Sequence, residues 1–498
     1  MYRHSQDRLA DPRRPPTYLP PRCGGRTTEP RGAVLLCREP EAMAEYLKAR
    51  WDRMLPARLP VGDEGRQGDA PEDRAQGDAW AAAWRLIPFA FGLLAIALLL
   101  TRLPTTLLTI FWAEDGHIFY AQAYNQGSLR ALFIPYTGYL QTFPRLEAAL
   151  AVHFPLVYGP LLAAGVALVA DVLPGMVFLS SRFDQVLPSR LMRLVLATIS
   201  VILPSSWELN GNLANVQWHL VLLSFLLLIG RPPRTLVGHL TDLAALAVGG
   251  LSGPFCIFLA PIAAWMWLRE RERWRLGRVA VLGATAVLQV GVLLFHYGER
   301  EGRPLNPNAG WFVKALDRPL LAPLIGDQRY LQLVHTPVWH EVWLPALVLL
   351  VGALAIAYAA WRGPSSLRWF LVVAAGILTM AMSVGGKDDP PQGHWAGIAG
   401  AVALGVWRYY YVPQLAWITV LIWLVLRSGW LPVRALAVSA LAVGLLVAVP
   451  SDWRYPLWWT PPSSFYASAQ HFDQAPRGTT VTLPINFQPF WFMTLTKR

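Results

Sequence analysis

The sequence predicts an all-α, polytopic membrane protein, and three observations carry that prediction. Of the 498 residues, 54% are hydrophobic and only 15% are charged, where a soluble protein carries nearer a quarter charged residues. Apolar runs recur from Leu86 to Val449 at lengths suited to helices that cross a bilayer. Arginines gather beside the ends of those runs. The formal net charge of +12 therefore reports topology rather than affinity for nucleic acid, because cytoplasmic loops of membrane proteins collect Arg and Lys.

Residues 1–80 differ from the rest. Arg13-Arg14-Pro15-Pro16, Pro20-Pro21 and Gly62-Asp63-Glu64-Gly65 mix Pro, Gly and charge with too few apolar residues for a core, so the segment is expected to be a disordered cytoplasmic tail. It has no secretory apolar region. Cys23, Cys37 and Cys256 match neither a disulfide framework nor a zinc spacing.

The spans follow in order through a membrane domain expected over 81–450. The run 86–101 lies between Arg85 and Arg102 and makes about 24 Å of helix, short of the roughly 30 Å hydrocarbon core. Both arginines are thus expected to snorkel outward. Runs at 158–180, 194–205 and 217–230 alternate across the membrane, with Arg182, Arg190, Arg193, Arg231 and Arg234 on one side. The stretch 239–268 is too long for one upright span and is interrupted by Ser252-Gly253-Pro254. A hairpin of two short helices keeps Arg231 and the Arg269–Arg275 cluster on the same face, as the positive-inside rule asks. Runs at 279–296, 343–361, 369–384, 411–426 and 435–449 complete about eleven spans, with the N-terminus inside and the C-terminus outside.

That parity leaves outer segments at about 103–157, 297–342, 385–410 and 451–498. The first carries Trp112-Ala113-Glu114-Asp115-Gly116-His117, Tyr136-Thr137-Gly138-Tyr139-Leu140 and Pro144-Arg145-Leu146. It should form helices lying at the interface, broken at Pro135, Pro144 and Pro155. In the last, Thr479–Ile485 and Trp491–Thr496 predict a β-hairpin. Asn210, Asn212, Asn215, Gln217 and His219 form a polar patch entering a span, suited first to hydrogen bonds between helices and second to acceptor binding. Tyr136, Tyr139 and Tyr409–Tyr411 suit an interfacial aromatic belt or substrate stacking. Lys387-Asp388-Asp389 is a loop charge cluster, and His335, His340 and Glu341 match no zinc spacing. Asp171 lies inside a span, where a carboxylate is a functional candidate by default. It is left out of the site because it can pair locally or face a water-filled cavity without acting in catalysis.

An acidic pair directly after the first span resembles the GT-C superfamily of membrane glycosyltransferases. The patches around Glu114-Asp115, Tyr136–Leu140 and Pro144-Arg145-Leu146 are similar to an uncharacterised bacterial multi-pass branch placed near it. Arg408-Tyr409-Tyr410-Tyr411-Val412-Pro413 is similar to an Arg-Tyr-x-x-x-Pro pattern of the superfamily. The resemblance covers roughly 86–498 in architecture but only these patches in residues. It implies a catalytic carboxylate in the first outer loop and a polyprenyl-phosphate-linked sugar as donor. The acceptor would be an envelope glycan, lipid or protein, and the location the bacterial inner membrane.

The chemistry has its own physical case. A carboxylate takes the proton of an acceptor hydroxyl as C1 of the sugar is attacked. Asp115 is the first candidate and Glu114 the second, and repulsion between adjacent like charges raises the pKa of at least one of such a pair. The leaving lipid phosphate needs fixed positive charge, for which Arg408 ranks first, with Lys387 and Arg145 behind it. Tyr136, Tyr139, Asn215, His219 and Tyr409 are the candidates for holding substrate. No resident cofactor is implied, although the carboxylates are compatible with a divalent cation. Two other classes fit the scaffold. A transporter or lipid flippase would use Asp171 and the Ser252–Pro254 break, and a non-catalytic envelope-polysaccharide assembly protein would need no paired base and phosphate binder.

Overall fold

A computed structural model describes residues 71–296, 309–334, 336–340, 343–384, 407–454, 465–486 and 491–498, all within the unit Gly68–Arg498. Most of the tail expected over 1–80, the Lys387-Asp388-Asp389 cluster, His335 and Glu341 lie outside the described residues.

Helix α1 (Pro71–Arg102) runs for 32 residues, about 48 Å. It begins ten residues before the boundary expected at 81, while its apolar part, Leu86–Arg102, is short for a membrane span, as expected. Arg102 also departs from expectation. It is only 4% exposed, donates to the Val201 and Leu203 carbonyls, and lies 5.5 Å from the Trp453 ring centroid. Those carbonyls sit where the chain leaves a helix and lack intrahelical donors, so Arg102 caps a neighbouring element instead of reaching for water.

The centre of the bundle is α3 (Gly159–Leu179), α5 (Val216–Ile229) and α13 (Tyr411–Arg427), numbered so that α2 (Thr142–Ala151) and α4 (Arg190–Ile202) fall in chain order. Every residue from Val216 to Leu228 is buried, as befits a helix that is apolar all round. Around it stand α6 (Leu236–Gly250), α7 (Cys256–Glu270), α8 (Arg273–Phe295), α9 (Ala309–Ile325), α10 (Asp327–Val334), α11 (Trp343–Arg362), α12 (Ser365–Val384) and α14 (Leu431–Val443). Outer helices expose Leu294, Leu354 and Leu446, apolar faces whose natural solvent is hydrocarbon. Among the described residues five helices are long and apolar enough to cross a membrane, and four more are apolar but shorter. The protein is thus mostly helical and has the makings of a membrane protein.

The break predicted at Ser252-Gly253-Pro254 is present. Helix α6 ends at Gly250 and α7 starts at Cys256. The turn is pinned from α8, whose Gln289 amide donates to the Gly250 and Gly253 carbonyls. It is also tied to the first outer segment, where Thr142 N donates to Leu251 O and Phe143 N to Ser252 Oγ. At the opposite end of these helices Arg182 and Arg278 share Asp242 at 2.6 and 2.7 Å. The bundle therefore has an arginine end and, across from it, an end built on the segment 103–157.

That segment contains a π turn (Asp115–Tyr120) leading into a short helix, then α2, whose Leu146 and Leu150 are exposed while Arg145 and Ala148 are buried. Pro144 does not break it. It is the third residue of α2, within the first turn, where its missing N–H costs no helical bond. The C-terminal part, α15 (Phe465–Gln474), β1 (Thr480–Pro484) and β2 (Phe492–Thr496), packs against this segment. The hairpin is antiparallel, pairing Val481 with Leu495 and Leu483 with Met493, and buries Leu483, Met493 and Leu495 completely. Asn486 donates to the Ile110 and Phe111 carbonyls, and Asn125 bonds both Thr494 O and Thr496 N.

Candidate functional site

The segment after α1 winds into the π turn through Gly116, where a Cβ would lie 2.8 Å from the Phe111 Cβ, so only glycine lets the π turn pack. This turn aims Asp115 inward and leaves Glu114 at its lip. Asp115 is 3% exposed, and its two oxygens accept from Leu213 N at 2.9 Å and Ala214 N at 2.8 Å. These N–H groups belong to the turn Leu213–Asn215 that leads into α5. They are donors a helix start cannot satisfy itself, and a carboxylate there also meets the positive end of the helix dipole. Burial pushes the Asp115 carboxyl up to about 8 against the pull of the Leu213 N–H; the Glu114 charge adds to the rise and the Ala214 N–H opposes it.

The segment that receives Asp115 is stiffened by its asparagines. Asn212 and Asn215 side-chain amides both donate to the Glu208 carbonyl, at 2.8 and 2.9 Å. Asn212 Oδ1 accepts from Asn215 N, and Asn210 bonds Ser206 O. Gly211 has φ +71°, and a Cβ there would meet Leu103 Cδ1 at 2.7 Å. Its N–H donates to Asp171 Oδ2 at 2.8 Å. The three asparagines therefore serve their own loop, whereas His219 of the same patch bonds between helices, to the Tyr411 hydroxyl.

This scaffold fixes Glu208. Its carboxylate accepts from Arg408 Nη1 at 2.9 Å and from Arg408 N at 3.4 Å, with side chains 14% and 30% exposed respectively. Burial raises the Glu208 carboxyl, Arg408 opposes that rise and Glu114 adds to it. The Arg408 guanidinium also feels Glu114 and Tyr139, and the Tyr136 hydroxyl, raised first by burial, feels both Glu114 and Arg408. Glu114, partly exposed, makes no side-chain hydrogen bond among the described residues.

Tyr136 and Tyr139 are held by a tight turn in which each backbone N–H donates to the other's carbonyl, at 2.9 and 3.3 Å. Thr137 and Gly138 both have positive φ, 52° and 83°, the conformation of a type I′ hairpin turn. The Tyr139 hydroxyl accepts from Gln141 at 3.3 Å and Gln217 at 3.5 Å. Glu114, Tyr136, Tyr139, Glu208 and Arg408, from three distant stretches of chain, thus share one electrostatic neighbourhood.

Arg145 lies behind it, fully buried, with its guanidinium 5.4 Å from the Phe119 ring centroid. Its Nε, Nη1 and Nη2 find no hydrogen-bond partner among the described residues, and burial pushes it down to about 10. Glu147, on the same helix, is raised to about 8 by burial and by the Asp115 charge. Other sequence candidates sit elsewhere. Asn215 is spent in the loop scaffold. His219 is inside α5, 3.4 Å from Asp171 Oδ1 and 3.3 Å from the Tyr411 hydroxyl. Tyr409 packs edge-on against Trp218, centroids 4.9 Å apart, and under Arg408. Lys387 lies outside the described residues. Glu208 is the residue sequence reasoning missed, and its signal was a lone acid between a span end and an asparagine-rich run. Among the described residues no three His, Cys, Asp or Glu side chains converge as metal ligands.

Comparison with known proteins returned no matching family, curated protein or solved structure.

Proposed function

We propose that the chain is a GT-C-like membrane glycosyltransferase of about eleven spans, set in a bacterial inner membrane with the N-terminus cytoplasmic and the C-terminus outside. It moves a sugar from a polyprenyl-phosphate donor to an envelope glycan, lipid or protein acceptor on the outer face. The observation that carries the proposal is the convergence of Glu114, Glu208 and Arg408 at the end of the bundle away from the paired arginines Arg182 and Arg278. A base and a phosphate-binding cation are what sugar transfer from a lipid phosphate requires.

Within this reading Glu114 takes the part of base ahead of Asp115. Both Asp115 oxygens are occupied by backbone N–H groups, so Asp115 anchors the loop. Glu114 is the carboxylate free to meet an acceptor. It takes the hydroxyl proton as the acceptor oxygen bonds to C1 and the bond from C1 to the phosphate oxygen breaks. Arg408, held in place by Glu208 yet still about a third exposed, takes up the charge of the departing polyprenyl phosphate. Tyr136 and Tyr139, which share this electrostatic neighbourhood, are the aromatic side chains at hand to stack on substrate.

Titrating a soluble polyprenyl-phosphate sugar into the protein in nanodiscs tests the donor assignment. Arg408→Ala should weaken binding at least about tenfold, as the loss of a charge-assisted pair predicts. Equal affinity for the donor in both proteins removes Arg408 from the site.

A further inference from the structure

A cavity of about 190 Å³ opens between α3, α4, α5, α12 and α13, at the other end of the bundle from Glu114. Leu196, Phe225 and Phe370 wall it, and Leu187, Pro364 and Leu426 stand at its mouth. Its inner half offers a polar solute nothing, the Ser366 hydroxyl lying toward the Pro364 side. Ser200 and Thr419, the hydroxyls in its inner half, are already spent on the Ala197 and Leu415 carbonyls at 2.7 Å each. An apolar void of this size excludes water and takes apolar ligands, and within the span of a bilayer the filler at hand is hydrocarbon.

The mouth adds a second, independent feature. Arg190 follows Leu187 by three residues, Arg362 precedes Pro364 by two, and Arg427 follows Leu426 directly. All three are exposed, and none has a carboxylate partner among the described residues. Arg190 lies 4.5 Å from the Trp84 ring centroid and Arg362 4.4 Å from that of Trp361. The neighbouring Arg182, Arg193, Arg275 and Arg278 are all paired with acids. An apolar slot rimmed by unpaired cations at the membrane surface complements an amphiphile with an anionic head.

We propose that this groove binds an acyl chain of an anionic phospholipid from the leaflet on the arginine side, with Arg190, Arg362 and Arg427 facing its headgroup. The site is independent of any transfer reaction at the opposite end, and its ligand is structural or regulatory lipid rather than sugar donor.

The test uses the full chain reconstituted in vesicles. Phosphatidylglycerol carrying a photoactivatable diazirine on its acyl chain is compared with the same probe on phosphatidylcholine, and labelled residues are mapped by mass spectrometry. Label on Leu196 and Phe370 should favour phosphatidylglycerol at least ~5-fold, the weight of about one surface arginine. That preference should vanish in R190Q/R362Q/R427Q, whose changes are exposed and alter no residue that lines the groove. Leu196→Trp, which fills the groove, should abolish label there while label on the lipid-facing Leu354 persists. Groove label no stronger than at Leu354 overturns the site. Equal labelling by the two headgroups overturns the anionic assignment, and preferential labelling by a diazirine polyprenyl phosphate overturns the phospholipid.

Discussion

Replacing the two adjacent acids separately distinguishes a structural carboxylate from a reactive one. In Asp115→Asn one oxygen becomes an NH2 group, so only one of the Leu213 and Ala214 N–H groups, now bonded at 2.9 and 2.8 Å, keeps its acceptor. The other is left facing a donor inside the protein. An orphaned buried donor costs about 1–3 kcal/mol. Asp115→Ala orphans both and should cost more. Glu114→Gln removes no hydrogen bond and lies at a partly exposed position, where substitutions stay within about 0.5 kcal/mol. Unfolding by SDS in mixed micelles, followed by tryptophan fluorescence, measures these differences. The expected order of stability is wild type equal to Glu114→Gln, above Asp115→Asn, above Asp115→Ala. Should Asp115→Asn prove as stable as wild type while Glu114→Gln falls by 1 kcal/mol or more (~1 by the same scale), the roles assigned to the two acids are wrong.

Further outcomes follow from the same geometry. Asp115 is lifted from 3.8 to about 8 and Glu147 from 4.5 to about 8, so between those values the native chain holds protons the unfolded chain has released, and stability falls as pH rises through that window. Asp115→Asn or Glu147→Gln should flatten the slope; an unchanged slope between about pH 4 and pH 8 in both variants contradicts the burial argument. Thr137 sits at φ 52°, where a β-branched residue is strained, and Thr137→Asn should raise stability by about 1 kcal/mol, measured by the same unfolding assay. Gly211→Ala should lower it by more than about 1 kcal/mol, since its φ is +71° and its Cβ would collide with Leu103. A double-mutant cycle on Glu208→Gln and Arg408→Ala should return a coupling of about 1 kcal/mol, between the exposed and buried limits for ion pairs.

Local features were the legible ones. The hairpin at Thr480–Pro484 and Phe492–Thr496 showed in alternating Thr and aliphatic residues, and the break between α6 and α7 showed in Ser252-Gly253-Pro254. Both depend on residues near one another in the chain. What escaped the sequence was long-range. Arg102 looked like a snorkelling flank because nothing local reveals the free carbonyls of Val201 and Leu203 that receive it. Nothing local to Glu114-Asp115 reveals the two backbone donors, nearly a hundred residues away, that receive Asp115. Glu208 was passed over for the same reason, as its partner lies 200 residues on. The C-terminal hairpin was foreseen as a hairpin, but its grip on the first outer segment through Asn486 and Asn125 was not.

Turnover of a radiolabelled polyprenyl-phosphate sugar by the protein in proteoliposomes, with wild type beside Glu114→Gln, puts the central claim to the most direct test. Wild type should transfer label from at least one donor of a sugar panel, and Glu114→Gln, folded and equally abundant, should lose at least about 100-fold, the lower bound for removing a general base. Transfer at the wild-type rate by Glu114→Gln, or none by the wild-type protein across the panel, would contradict it.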